Sequence, residues 1–283
     1  MNKNKSPFKN QEKRLYYQYL GFMNSVNLFS QNIIGIKHFS FEKEPISYEE
    51  FQSFQSFSIE VQLPLGKRVE RFFEFYIEQH NNYKMVKKNI QINHNKVTIG
   101  EFDFFIEEQS TQQIIHLELV YKFYIYKEHE DEIKRYHGPN RHDNLEDKLH
   151  KLKTRQFPLL YNPHAKKALE EIKRSKVTQR LCFLGNVFLE KKTNTNFEVI
   201  NKKAITGTYL TFNSFLNEET YQNKHYFIPQ KEDWLIDEKY ADFWYDYEKT
   251  IQKIEKYFER NISLLIWIKN NDGFERVFIL ASK

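Results

Sequence analysis

Hydrophobic and polar positions alternate with period two over three consecutive stretches near the middle of the chain. "YKMVKKNIQIN" and "KVTIGEFDFFIEE" read as strands joined at "HNK", and "QIIHLELVYKFYIY" reads as a third. Just ahead of them, "LGKRVERFFEFYIEQH" (65–80) places Val69, Phe72, Phe73, Tyr76 and Ile77 on one arc at about 100° per residue, which predicts an amphipathic helix. After the third strand, "YHGPNRHD" has turn chemistry. A helix over "NLEDKLHKLKTRQF" follows, with Leu145, Leu149 and Leu152 as its apolar stripe. Asp143 and Glu146 there have the spacing of a capping box. "VTQRLCFLGNVFLE" (177–190) reads as a further strand or pair.

The flanks are less regular. "EKRLYYQYLGFMNSVNLF" predicts a helix near the N-terminus, and "SYEEFQSFQSF" has no clear period. "ITGTYLTFNSFL" opens the last third, an amphipathic helix is expected near 238–260, and "SLLIWIKNNDGFERVFIL" predicts a hairpin turning at Asn271-Asp272-Gly273. The fold class is α/β: a helical or irregular extension over 1–64, a helix–three strands–helix–strand core over 65–192, and an α+β extension over 193–283 packed on that core.

Composition changes this picture little. Of 283 residues 40% are hydrophobic, enough for an ordinary core, and Cys182 is the single cysteine. That rules out an internal disulfide and a multi-cysteine zinc site, and fits a reducing compartment. The basic start "MNKNKSPFKNQEKRLYYQYL" lacks the apolar run of a signal peptide, and no run reaches the length of a membrane span, so a soluble cytoplasmic protein is expected. The net charge is only +5, but residues 133–176 carry twelve Lys/Arg against five Asp/Glu. A patch of that kind attracts polyanions, although a lysine-rich helix face can equally be plain solvated surface.

The chemistry lies where charge interrupts the apolar strands. Strand residues two apart share a face. Val97, Ile99, Glu101, Asp103 and Phe105 are therefore expected together, as are His116, Glu118, Val120 and Lys122. The other face of the third strand is Ile115, Leu117, Leu119, Tyr121 and Phe123, wholly apolar. Paired strands would bring Asp103 beside Glu118. Two close carboxylates repel unless a proton or cation sits between them, and hard oxygen ligands suit Mg²⁺ or Mn²⁺. The competing reading is ordinary cross-strand pairing of solvent-facing charge. His116 on the same face fits a partner of the carboxylates, a ligand or a structural histidine.

Read in order, a helix with Glu70, a strand, a strand with Asp103, a strand with Glu118 and Lys122, a basic helix and a strand resemble the αβββαβ core of the PD-(D/E)XK, or restriction-endonuclease-like, phosphodiesterases. More locally, "LGKRVERFFEFY", "TIGEFDFF", "HLELVYKFY" and "GPNRHDNLEDKLHKLKTRQ" resemble an uncharacterised bacterial family, a domain of unknown function grouped with that superfamily. The resemblance implies a three-layer fold with a mixed sheet, in which Glu70, Asp103 and Glu118 hold Mg²⁺ or Mn²⁺ and a lysine aids attack on phosphorus. Superfamily members carry that lysine two residues after the third-strand acid, where this chain has Val120. Lys122 shares the face of Glu118 but stands about 13 Å along an ideal strand. Lys148 on the following helix is the alternative, since relatives place the lysine there too; Lys122 is narrowly preferred. Gln156, with Tyr161 five residues on, loosely matches a helix glutamine of the RecB-like members.

The expected function is thus a Mg-dependent nuclease acting on nucleic acid, DNA first, with Arg141, Lys151, Lys153, Arg155 and Gln156 as contacts. The alternative is a non-catalytic nucleic-acid-binding or scaffold protein on the same fold. A third reading is a metal-dependent hydrolase of a small phosphorylated substrate, for which a closed pocket is expected in place of a groove.

Overall fold

The computed structural model describes residues 11–281, apart from 43, 45, 55–56, 61, 130, 141–142, 174–175, 192 and 194–196. Helix α1 (Gln11–Asn24), strand β1 (Lys37–His38) and the short helix α2 (Tyr48–Ser53) precede α3 (Leu65–Gln79). Strands β2 (Tyr83–His94), β3 (Val97–Glu108) and β4 (Gln113–Tyr126) follow, then β5 (Tyr136–His137), α4 (Leu145–Lys151) and β6 (Thr178–Glu190). The last third contributes β7 (Ile205–Thr211), α5 (Phe212–Asn217), β8 (His225–Phe227), α6 (Tyr247–Phe258), β9 (Leu264–Asn270) and β10 (Gly273–Leu280).

These strands form one mixed ten-stranded sheet in the order β2-β3-β4-β6-β7-β10-β9-β8, with β5 also on β4 and β1 on β6. The β2–β3 and β3–β4 pairs are antiparallel, whereas β4–β6, β6–β7 and β7–β10 are parallel. Parallel neighbours need a long crossover, and α4 lies within the one from β4 to β6. The boundary expected at 192/193 therefore falls between two strands of a single sheet.

Helices cover both faces. On one, Val69, Phe72 and Phe73 of α3 and Tyr19 and Phe22 of α1 pack with Ile115, Leu117, Leu119 and Phe123 of β4. On the other, Leu145, Leu149, Leu152 and Phe157 pack with Val120, Tyr124, Leu181 and Phe183. Strand β4 is buried on both sides, so its sequence runs apolar with few interruptions. Cys182 lies deep in the sheet, where burial pushes its thiol far above the ordinary range.

Three local expectations change. The cap of α4 is Asn144, whose Oδ1 accepts the Asp147 N–H at 2.7 Å, and not Asp143, which turns to Lys122. The helix expected through Phe157 keeps α geometry only to Lys151. It continues as a π turn over Leu152–Gln156, closed by the Phe157 N–H on Leu152 O, and then as a 3₁₀ turn carrying Pro158, which has no N–H for a continuing ladder. The late amphipathic helix begins at Tyr247, not near 238, because Asp246 accepts the Lys249 N–H at 2.8 Å and starts it there. Among the described residues no helix is long and apolar enough to cross a membrane.

Candidate functional site

Asp103 sits where β3 loses its regular alternation. The β2–β3 ladder pairs Lys88 with Phe104 and Ile90 with Phe102 but skips Asn89, which adopts φ 50°. Asparagine tolerates that left-handed conformation better than most residues. Alternation would put Phe102 and Phe104 on one face. Instead Phe104 packs on Phe73 of α3 at 4.8 Å between ring centroids, while Phe102 lies 5.0 Å from His116 and 5.1 Å from Phe105. The slip falls at Asp103. Glu101 is thereby turned to α3, 3.4 Å from Lys67, and does not join Glu118 and His116 as regular alternation predicted.

The β3–β4 ladder ends at Phe104↔Leu117, one pair short of Asp103 opposite Glu118. From there the strands part, and Asp103 Oδ2 accepts the Leu119 N–H at 2.9 Å. Local disruptions of a ladder re-aim side chains, and this one brings the carboxylate of Asp103 beside that of Glu118. Burial, then the neighbouring Glu118 charge, pushes Asp103 up to about 7, against the pull of the Leu119 N–H and Lys148. Burial pushes Glu118 up to about 8, with Lys148 opposing. Without a cation, the pair retains a proton near neutral pH.

Glu118 has no exposed surface, and both its oxygens are held. His116 Nε2 lies 2.9 Å from Oε1, and the Gln156 amide donates to Oε2. The Gln179 Nε2 donates to His116 Nδ1 at 3.0 Å and to Phe157 O at 2.8 Å. That leaves the imidazole proton on Nε2, pointing at Glu118. Burial lowers His116 to about 4, so the ring is neutral at pH 7. With both nitrogens engaged and Phe102, Phe105 and Phe157 around the ring, His116 orients Glu118 and is not placed as a ligand.

Glu70 approaches from α3. Its Oε2 is 2.7 Å from Lys67 Nζ. Burial raises its pKa, Lys67 opposes, and the Asp103 charge raises it further. Lys148 approaches from the opposite layer. Its Nζ lies 3.3 Å from Gln156 Oε1, the other end of the amide that holds Glu118. Burial lowers its pKa, while Asp103 and Glu118 act the other way. The π turn carries Gln156 into this position, a single-turn irregularity of a kind frequent at functional sites.

Lys122, narrowly preferred from sequence, pairs with Asp143 and stays away from the acids. Four residues of strand separate it from Glu118, and a nearer carboxylate holds it. Val120, in the position the superfamily pattern gives to lysine, is buried in the apolar cluster beneath α4. Lys151, Lys153 and Arg155 are exposed beside the site, while Arg141 and His142 lie outside the described residues. Lys67 and Gln179 were missed. Lys67, three residues before Glu70 on one helix, was open to reading as a partner. Gln179 needed the β4–β6 register, which pairs it with His116.

The donors at this point are hard carboxylate oxygens, which suit Mg²⁺ or Mn²⁺ in kind. Among the described residues no group of three or more His, Cys, Asp or Glu side chains is arranged to hold a metal ion, and Glu70 is turned to Lys67. A cleft of about 1340 Å³ opens onto Glu70 and Lys148 along residues 119–123. No curated protein and no solved structure compared with the chain matches it. One family's sequence model matches residues 44–279, well over half of the 283, and the chain therefore belongs to that family, a domain of unknown function (DUF1853).

Proposed function

We propose that the protein is a Mg²⁺- or Mn²⁺-dependent phosphodiesterase acting on nucleic acid, on a restriction-endonuclease-like αβββαβ core formed by α3, β2, β3, β4, α4 and β6. The observation that carries this reading is the meeting of Asp103, Glu118 and Lys148 at the point where β3 leaves β4, with Glu70 adjoining from α3. A fully buried and a half-buried carboxyl held far above their ordinary range are costly if idle, and the cleft beside them is lined by Glu70 and Lys148, whose pKa values are also perturbed.

Asp103 and Glu118 would hold the cation, with Glu70 joining them on release from Lys67. A cation bound there supplies Lewis acidity toward a phosphate oxygen and makes a bound water more acidic. The chain's own residues do the rest. His116 and Gln156 fix the Glu118 carboxylate, so its orientation needs no rearrangement during reaction. The Lys148 ammonium, tethered through Gln156, stands ready to offset charge that develops on the phosphate. Lys151, Lys153 and Arg155 present exposed cations to the backbone of a polyanion.

A second reading, a non-catalytic nucleic-acid-binding protein on the same fold, draws on Val120 and on the turning of Glu70 to Lys67. One experiment separates the two. Purified protein is incubated with DNA and RNA in the presence of Mn²⁺, Mg²⁺ or chelator, alongside D103N and E118Q. Metal-dependent cleavage lost in both variants supports the enzyme. Binding without cleavage in wild type under every metal condition supports the alternative.

A further inference from the structure

Strand β4 has an open edge in the middle of the sheet. β3 pairs with it only as far as Leu117, and on the same side β5 begins at Ile125. Between them, about 20 Å of strand has no strand partner on this side among the described residues. The Leu119 N–H points into the gap, where Asp103 takes it, and strand alternation turns the N–H and C=O of Tyr121 and Phe123 the same way. The cleft is this gap. Residues 119–123 floor it, Leu65, Gly66 and Glu70 wall one side, and Pro139 and Lys148 wall the other. Lys231, exposed, stands at its rim. Its volume of about 1340 Å³ exceeds the roughly 300–1,000 Å³ of small-molecule pockets.

We infer that the gap takes a single strand of nucleic acid, laid along the open edge of β4, in preference to a duplex. This rests on the phosphodiesterase reading for its chemistry but not for its binding. Glu70 and Lys148 line the cleft, and Asp103 holds the Leu119 N–H at its floor, so a chain that enters between the two helical layers and lies on the strand edge runs past the acids. Backbone N–H groups and lysines are the donors that hold phosphates without regard to sequence. Lys122 and Arg14 are balanced by Asp143 and Glu232, which leaves Lys148 and Lys231, among the described residues, as the cations facing the cleft.

The test uses Gly66, which lines the cleft and where an added Cβ would meet nothing within 4 Å, so Gly66→Trp is the variant that obstructs it, with its fold checked by circular dichroism. Fluorescence anisotropy with metal-free E118Q compares a labelled oligothymidylate with a blunt duplex of equal length. Single-strand binding about tenfold tighter than duplex binding, and lost on adding G66W or K231E, is the expected result. Equal binding of the two, or binding indifferent to G66W, overturns the proposal. Preference for an uncharged extended peptide makes the open edge a strand-pairing site and also overturns it. Wild type with Mn²⁺ is assayed on the same DNAs. Cleavage of duplex and single strand alike, unaffected by G66W, refutes this inference while leaving the phosphodiesterase intact. Selective single-strand binding with no cleavage of either DNA does the reverse.

Discussion

Replacing Glu118 by glutamine should leave the metal-free protein about as stable as wild type at pH 5 and markedly more stable at pH 9. The side chain has no exposed surface and titrates at about 8 when folded, against an ordinary 4.5. A carboxyl whose folded pKa is raised contributes stability that is fully present below the unfolded value. That stability is lost as pH rises through the folded one. The window for Glu118 therefore runs from about pH 4.5 to about pH 8. The difference corresponds to about 5 kcal/mol, an order of magnitude for a carboxyl coupled to Asp103. The amide introduced by E118Q mimics the protonated acid in shape and never ionises. Urea denaturation of both proteins with chelator at pH 5, 7 and 9 measures the gap directly, and taking the difference removes the shared groups except Asp103, whose titration Glu118 perturbs. Parallel curves across that range would mean that Glu118 carries no desolvation penalty, and the reasoning from its burial would fail.

Other expectations concern the reaction. Lys148→Met should lower Mn²⁺-supported cleavage about a hundredfold while Lys122→Met changes it little, measured as kcat/KM on one oligonucleotide. His116→Ala should weaken Mn²⁺ binding or activity by about 10–100-fold, read by calorimetry, because Glu118 loses the donor that orients it. Reversing Lys151, Lys153 and Arg155 to Glu should flatten the salt dependence of DNA affinity, and an unchanged slope of log K against log salt would count against this patch as the contact surface. Saturating Mn²⁺ should raise the thermal midpoint of wild type and leave D103N unmoved.

Much of the centre was legible because long, strongly periodic segments express their own packing. The arc through Val69, Phe72, Phe73, Tyr76 and Ile77 gave α3 nearly to the residue, and apolar residues on both faces marked β4 as central. Asp103 and Glu118 could be named because charge in such strands is conspicuous. The change of facing at Asp103 breaks the alternation that sequence reading relies on, and so Glu101 was expected on the face of Glu118. Choosing between Lys122 and Lys148 needed the position of Asp143 in space, not its place in sequence. The capping residue was misplaced by one, as Asp143 and Asn144 are equally apt by chemistry. Pairing of β6 with β7 and of β7 with β10 joins segments distant in the chain, which single-sequence periodicity does not report.

That last pairing bears on how the molecule is made. β10 follows all the other strands in chain order, yet it lies inside the sheet between β7 and β9. Until residues 273–280 emerge from the ribosome, β7 has only β6 beside it, and the ring of Phe278 is missing from its place 4.6 Å from Phe188 and 5.1 Å from Trp234. The chain must then wait, with an apolar sheet edge exposed, for contacts of very long sequence separation. Such topologies fold slowly and are exposed to misassembly on the way. Completion of the sheet, and with it the seating of β4, thus waits on residues 273–280.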